Sequence, residues 1–409
     1  MEEREVPFSI FGREEILDRL GQRLEALKKG YRQNVSLVGP RHIGKTSIVR
    51  SFLERTKKDS EIISIYISLS GTDFDSFLER WLGALLQGFL TSKEISFPEE
   101  FQLLVKTSRA FIPKTLERMR EVKKRAFQKR TSLAFRELLS LTGVLAEETG
   151  KKILLVLDEI QSLGELELQD PFGLFGREMM VQKNTFYLAT SSEPQKTRAI
   201  LSEQLSLLFG NFEVIEIDPL KLEALREWLK RRYPEIQIPE PDLRILSHFF
   251  NNHPCYFDLF MESARSYALR KNQNSWDREG MKAVMGEALF SDRGLLNRHF
   301  EFELKNLLRL GRQIRPYVQT LLAVANGKAK VPQIAAYLGK KGPETKKLIQ
   351  RLVSEGFLEK KGSFYCLPDA LFRFWLRNVF HAKDRELNPG GERARIYFEN
   401  RLAEEMQRI

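Results

Sequence analysis

The stretch NVSLVGPRHIGKTSIVR, residues 34–50, constrains the fold of this chain more than any other. A short apolar run meets Gly39, a second glycine follows at Gly44, and an apolar helical pattern begins at Lys45 and Thr46. This order fits G-x-x-x-x-G-K-[ST] between a strand and a helix, where backbone N–H groups turn toward phosphate oxygens. Lys45 would reach the β- and γ-phosphates, and the Thr46 hydroxyl would ligate Mg²⁺. The predicted phosphate-binding loop consists of Gly39, Pro40, Arg41, His42, Ile43, Gly44, Lys45, Thr46 and Ser47.

A strongly apolar strand pattern at residues 151–159 ends in two acidic residues. Asp158 would hold Mg²⁺, and Glu159 beside it would polarise an attacking water as a general base. Together with Lys45, this pair predicts hydrolysis of a nucleoside triphosphate. The alternative is an acidic pair that merely caps a strand, which the upstream loop disfavours.

Another predicted strand, FYLATSS, ends in Thr190, Ser191 and Ser192. In a parallel sheet this end would face the same crevice as the phosphate-binding loop. A hydroxyl there would orient the attacking water or sense the γ-phosphate. Thr190 is the first choice for this catalytic role because it is the first polar residue at the strand's end. An ordinary serine-rich turn is the alternative.

Strand and helix patterns alternate up to residue 218 and then change. The alternation predicts an α/β P-loop domain at 1–218 with a parallel sheet of five strands. Helical patterns alone follow, which predicts a lid subdomain at 219–311. Residues 312–368 show three helices and two short strands, the pattern of a winged helix-turn-helix. A C-terminal helical tail is predicted at 369–409.

The net charge of +11 is concentrated in one segment of the 409-residue chain. Residues 106–130 hold ten basic residues, whereas the only acidic residues there are Glu117 and Glu121. The net charge therefore does not predict nucleic-acid binding over the whole protein surface. This segment would bind a phosphate backbone, an acidic partner or a membrane surface, or it is simply a solvated helix face. The sequence contains no apolar run long enough to span a bilayer and no apolar signal core, which predicts a cytoplasmic protein.

The predicted winged helix makes duplex DNA a candidate partner. Lysines would meet phosphates, and a glutamine or arginine would reach base edges. A solvated helix face or a protein contact is the alternative. The candidate DNA contacts are Thr345, Lys346, Lys347, Gln350, Arg351, Lys360 and Lys361.

Several motifs occur in one characteristic order: FGREEIL, GPRHIGKTS, LLVLDEIQSL, LATSSE, DPL, NNHPCYF and LPDALFRFWLRN. Together they resemble the archaeal-type ATPases of the STAND branch of AAA+ P-loop proteins. The resemblance implies an ATP-binding switch with a helical lid and a winged helix. It places Gly12 and Arg13 against the nucleotide and His253 and Pro254 beside the adenine. The alternatives are an exposed helix-start residue for Arg13 and a plain first-turn proline for Pro254.

Two further features concern how far this resemblance extends, namely two candidate arginines and the C-terminal part of the chain. Arg177 and Arg198 are candidate γ-phosphate or intersubunit arginines, although surface salt bridges explain them more simply. Longer relatives continue into a nuclease-like domain, of which this sequence shows only a starting helix. Nuclease activity is therefore not predicted.

The function predicted from these patterns is a Mg²⁺-dependent ATP hydrolase that acts as a nucleotide-driven conformational switch, with DNA as one candidate target. ATP and Mg²⁺ are the expected cofactors, and an oligomer is compatible with the motifs. Two alternatives belong to other classes. One is a winged-helix DNA-binding regulator that ATP only tunes, and the other is an interaction scaffold that holds ADP without turnover.

Overall fold

The computed structural model describes residues 11–71, 73–97, 100–201, 212–271, 277–307, 313–385 and 392–408. The chain up to Asp218 forms one compact unit, and the chain from Pro219 onward forms a second. The sequence predicts a domain boundary between residues 311 and 312, and both of these residues lie outside the described ranges. No helix in the described ranges is long and apolar enough to cross a membrane.

The first unit is built on a parallel sheet of five strands. In chain order these are β1 Asn34–Val38, β2 Ile62–Ser68, β3 Lys152–Asp158, β4 Thr185–Ser191 and β5 Phe212–Glu216. Their order across the sheet is β2-β3-β4-β1-β5. The register aligns Val38 with Ser191 and Ser68 with Asp158, so the strands end at one common edge. The predicted five-stranded parallel α/β fold is confirmed.

Helices cover both faces of this sheet. Successive residues of a strand point to opposite faces, and in these strands the residues on both faces are apolar. The helices of the unit are α1 Glu14–Lys28, α2 Lys45–Thr56, α3 Phe74–Thr91, α4 Phe101–Ser108, α5 Pro113–Phe127, α6 Thr131–Thr149, the 3₁₀ turn Ile160–Glu165, α7 Pro171–Val181 and α8 Pro194–Ala199. Leu154 and Val156 pack with α1 and α2, whereas Ile153 and Leu155 pack with α3, α5, α6 and α7. The basic segment, residues 106–130, thus runs from the end of α4 through α5.

The second unit is helical apart from one hairpin. Its elements are α9 Leu222–Arg232, α10 Glu240–Phe250, α11 Pro254–Lys271, α12 Arg278–Phe290, α13 Leu295–Asn306, α14 Arg315–Ala325, α15 Val331–Leu338, α16 Gly342–Ser354, β6 Glu359–Lys361, β7 Phe364–Cys366, α17 Ala370–Trp375, the π-helix Leu376–Phe380, α18 His381–Arg385 and α19 Glu392–Arg408. Strands β6 and β7 pair antiparallel, and α14, α15 and α16 pack on one another. This part matches the pattern on which the winged-helix prediction rests, and the assignment itself stays a prediction.

The segment predicted as a C-terminal tail is part of the same hydrophobic core as helices α9 to α13, for which the sequence predicts a lid. The indole Nε1 of Trp375 donates a hydrogen bond of 2.8 Å to Asn297 in α13. The ring of Phe398 in α19 lies 5.3 Å from that of Phe290 in α12. Burial of these large aromatic groups is a main source of packing energy, so the segment is integral to the second unit.

Candidate functional site

The loop after β1 lies at the common edge where the strands end. The Gly39 N–H donates to the Ser191 carbonyl at 3.2 Å, which ties the loop to β4. A Cβ atom on Gly39 would lie 2.7 Å from the Ile217 carbonyl oxygen, so only glycine fits there. Gly44 has φ 103°, a conformation that favours glycine, immediately before α2. The two glycines of the motif are therefore required for different reasons, a close backbone approach and a left-handed turn.

Lys45 opens α2 and is buried, with 5% of its surface exposed. Its Nζ donates to the carbonyls of Gly39 and Pro40, at 2.8 Å each. Burial lowers the pKa of Lys45 to about 8, although the nearby charges of Glu159 and Asp158 act in the opposite direction. The loop thus holds a cation in a largely desolvated position, where a phosphate would interact with it strongly.

The other loop residues take distinct positions. The Ile43 side chain is buried in the apolar core next to α2, so this residue offers only its backbone to a ligand. His42 adopts a left-handed conformation with φ 59°. The side chains of Pro40, His42 and Ser47 are exposed, and those of Arg41 and Thr46 are half-buried.

Asp158, the last residue of β3, meets the start of α2. Its Oδ2 accepts a hydrogen bond of 2.6 Å from the Tyr66 hydroxyl and lies 3.5 Å from the Thr46 hydroxyl oxygen. Its Oδ1 accepts a hydrogen bond from Thr190. Two neighbouring oxygen ligands of Mg²⁺ lie about 3 Å apart when each is at its usual distance from the ion. The spacing and the oxygen donors of Thr46 and Asp158 therefore fit one Mg²⁺.

Glu159 follows β3 in a left-handed conformation with φ 60°. Its Oε2 accepts hydrogen bonds from the Ser192 N–H at 2.9 Å, the Ser192 hydroxyl at 2.8 Å and the Gln161 amide at 2.5 Å. Burial alone would raise the pKa of Glu159, but the bonds from Gln161 and Ser192 and the charge of Lys45 lower it below its ordinary value. The carboxylate is consequently ionised and held in one orientation.

Thr190 links the two acidic residues. Its side chain is wholly buried, and its hydroxyl donates to Asp158 while accepting the Glu159 N–H at 3.1 Å. Ser192, rather than Thr190, contacts the Glu159 carboxylate. The geometry thus gives Thr190 a positioning contact, and a direct contact of its hydroxyl with the γ-phosphate stays a prediction.

Sequence reasoning missed Tyr66 and Gln161. Burial and the bond to Asp158 raise the pKa of Tyr66 above its ordinary range, so its hydroxyl stays protonated and donates to the carboxylate. The Gln161 amide oxygen accepts from Ser191 at 2.7 Å while its NH₂ group donates to Glu159. Gln161 is the last residue of the motif LDEIQ, and its place in that motif could have identified it as a site residue from the sequence. Tyr66 carries no such signal, because only the strand order shows that β2 adjoins β3.

Arg13 is not the exposed helix-start residue of the alternative interpretation. Only 8% of its surface is exposed, and its guanidinium donates to the Asp218 carbonyl at the end of the first unit. Burial lowers the pKa of Arg13, an effect that Asp218 opposes. The preceding Gly12 has φ 66°. A contact of either residue with nucleotide stays a prediction.

Arg177 and Arg198 are both more than half exposed and have acidic partners. Arg177 lies 3.6 Å from Asp170, and Arg198 pairs with Glu216. These pairs agree with the surface salt bridges given as the simpler explanation.

Pro254 is the first residue of α11, and the preceding His253 stacks on Tyr256 with 4.4 Å between ring centroids. The adenine contact implied for them stays a prediction.

One of the candidate DNA contacts is wrong. The Thr345 side chain is wholly buried, and its hydroxyl donates to the Lys341 carbonyl at 3.1 Å, so it does not offer a surface to DNA. The remaining candidates are exposed, on α16 and on the β6–β7 hairpin: Lys346, Lys347, Gln350, Arg351, Lys360 and Lys361. In the basic segment, Phe127 at the end of α5 is 89% exposed.

A family model matches part of the chain, and solved structures share its fold. Residues 9–179 match the AAA ATPase domain family. A Walker-type ATPase of Pyrococcus abyssi is 20% identical with a TM-score of 0.60, over 92% of this chain and 98% of that chain. The ORC2 protein of Aeropyrum pernix, solved in ADPNP–ADP complexes, is 12% identical with a TM-score of 0.55, over 99% of this chain and 98% of that chain. No curated protein matches the sequence.

Proposed function

Because residues 9–179 match the AAA ATPase domain family, we propose that this chain binds ATP with Mg²⁺ and hydrolyses it slowly. One observation carries this proposal: Lys45, Thr46, Asp158 and Glu159 converge at the edge where the strands end. The 3.5 Å between the Thr46 hydroxyl and Asp158 joins the phosphate-binding loop to the acidic pair, although 112 positions separate them in sequence.

Each of these residues has one role in the proposal. Lys45 donates to the β- and γ-phosphate oxygens, and the N–H groups of the loop surround them. Thr46 and Asp158 hold Mg²⁺, which would neutralise charge on the phosphates. Glu159 accepts a proton from the water that attacks the γ-phosphate. The lowered pKa of Glu159 keeps its carboxylate ionised and therefore able to accept this proton.

Four further side chains hold these groups in place. Tyr66 and Thr190 orient the Asp158 carboxylate from two sides. Gln161 and Ser192 orient the Glu159 carboxylate, and all four lie on or next to the strands or on the turn after β3. Sites held by rigid elements keep their geometry during a reaction. We assign these residues positioning roles.

The nucleotide acts in this proposal as a switch between conformations. A γ-phosphate makes contacts that ADP cannot make, so ATP and ADP stabilise different states to the extent that these contacts differ. The contacts that the resemblance implies for Gly12, Arg13 and Pro254 belong to this part of the proposal. Differential contact is the physical requirement for any such switch.

The test is the dependence of ATP hydrolysis on metal. Turnover is expected to require Mg²⁺, and Asp158→Asn is expected to raise the Mg²⁺ concentration for half-maximal turnover several-fold, because it removes a charged ligand. Phosphate release is measured across a Mg²⁺ titration. The matched control is Asp75→Asn, which makes the same change at an exposed position in α3. Equal turnover with and without a chelator would refute the magnesium site.

A second candidate function is binding of duplex DNA through α16 and the hairpin, which the exposed lysines favour. Replacing Lys346 and Lys347 by alanine is expected to weaken binding to all sequences alike and to reduce the slope of log affinity against log salt by about 2. Mobility shift across a salt series measures both effects. Alanine at Lys57 and Lys58, exposed near the end of α2, is the control. No DNA binding in about 50 mM salt would end this candidate.

A further inference from the structure

A cavity of about 140 Å³ lies within the second unit, among α10, α14, α17, the π-helix and α19. Its charged and polar walls differ from the apolar core around it. The lining side chains that matter here are His248, Phe249, Arg373, Phe374, Arg377 and Glu405. No role described above uses this cavity.

Two arginines line the cavity without an ion pair. Arg373 in α17 and Arg377 in the π-helix have no carboxylate within 4 Å among the residues that the structure describes. Some other exposed arginines of the unit are paired, such as Arg226 with Glu240 at 2.8 Å and Arg232 with Asp258 at 2.7 Å. Two guanidiniums that line one concave site, with no carboxylate within 4 Å among the described residues, are suited to an anionic ligand, since guanidinium binds phosphate and carboxylate in a two-pronged manner.

The backbone at this position is unusual. Residues Leu376–Phe380 form a π-helix, and the Asn378 side chain donates to the Phe374 carbonyl at 3.0 Å. Short π-helical turns are rare and occur frequently at functional sites. Here the turn carries Arg377, four residues after Arg373, and both line the same cavity. The local backbone thus places two cations together.

Charge and size restrict the ligand. Arg373 and Arg377 contribute two positive charges to the wall and Glu405 one negative charge, while His248 adds a further hydrogen-bonding group. Burial raises the pKa of Asp369, and the charge of Arg373 opposes this shift, so this carboxyl is a further acidic group beside Arg373. Phe249 and Phe374, with ring centroids 5.0 Å apart, supply an apolar surface. Cavities of about 150 Å³ accommodate one benzene ring, so an apolar ring would fill the cavity and a charged group attached to it would lie at the opening, where Arg373 and Arg377 are exposed.

We propose that this cavity binds a small phosphate monoester, with the phosphate on Arg373 and Arg377 and an apolar group against Phe249 and Phe374. A dianionic phosphate matches the two guanidiniums better than a monocarboxylate does. The site is separate from the proposed ATPase function and does not depend on it.

The test uses phenyl phosphate as the probe, titrated calorimetrically into the full chain. One saturable site is expected, with benzoate weaker and benzyl alcohol, which has no charge, not bound. Arg377→Gln is expected to weaken phenyl phosphate binding at least about tenfold, the effect of losing one charge-assisted contact. Arg351→Gln, an exposed arginine of α16, is the matched control.

Two more variants distinguish binding in this cavity from binding elsewhere and from an effect of misfolding. Lys45→Ala is expected to leave phenyl phosphate binding unchanged, and its loss there would mean that the probe occupies the phosphate-binding loop, which overturns the proposal. Glu405→Gln is expected to tighten binding because it removes a negative charge from the wall. This gain cannot arise from misfolding, so an unchanged or weaker affinity in this variant contradicts the proposal. No binding of phenyl phosphate up to about 10 mM would also overturn it.

Discussion

A Glu159→Gln variant is expected to bind ATP as the wild type does and to lose turnover by about 10²–10⁴-fold. The amide keeps the size of the side chain, and it can still meet Gln161 and Ser192, but it cannot accept a proton from the attacking water. Binding is measured by titration calorimetry and turnover by phosphate release. Intact affinity with lost turnover is the signature of a group that acts in the chemical step.

Glu165→Gln provides the matched control, since this glutamate is exposed at the end of the 3₁₀ turn that follows Glu159. It is expected to leave both ATP binding and turnover unchanged. Equal turnover in Glu159→Gln and wild type would remove Glu159 from the role of base. A wild-type protein that retains nucleotide for hours without releasing phosphate would instead favour the scaffold alternative.

The second expected result concerns the charge of Lys45. Lys45→Ala is expected to weaken ATP binding by about 2–3 kcal/mol, or roughly 30- to 150-fold, because a charge-assisted contact with the phosphates is lost. Calorimetric titration with Mg-ATP at neutral pH measures this effect. Lys58→Ala, an exposed lysine just beyond α2, is the control and is expected to bind ATP with wild-type affinity.

The same charge predicts a pH dependence. Burial lowers the pKa of Lys45 to about 8, whereas an ordinary lysine has a pKa of 10.5. Bound phosphate favours the protonated amine, so ATP affinity is full below pH 8 and falls as pH rises through this value. The expected loss between pH 7 and pH 9 is about tenfold. A flat profile over this range, or an equal slope in Lys45→Ala, would contradict this role of Lys45.

Local patterns in the sequence were sufficient for the elements and for the central motif. The apolar run before Asp158 predicted a buried strand, and the structure places β3 at Lys152–Asp158. The loop between Gly39 and Lys45 was predictable because its geometry depends on residues that are adjacent in sequence. Strands alternating with helices predicted the parallel sheet, since parallel strands need helical crossovers.

Contacts between distant residues were not predictable in this way. The bond from Tyr66 to Asp158 joins residues 92 positions apart, and it exists because β2 is the neighbour of β3 in the sheet. Thr345 and Lys346 are adjacent in α16, yet one is buried and the other exposed. The pattern of the helix shows its polar residues, but the packing of α16 on α14 and α15 decides which of them face water.

The sequence by itself thus determined the strand–loop–helix motif, the acidic pair and the parallel α/β class of the first unit. Only the tertiary structure decided which side chains hold that pair, that Phe398 belongs to the core of the second unit, and that Arg373 and Arg377 share a cavity. The physical reason is the range of the interactions. Backbone conformation responds to neighbours along the chain, whereas hydrogen-bond partners, burial and cavities depend on which distant elements pack together.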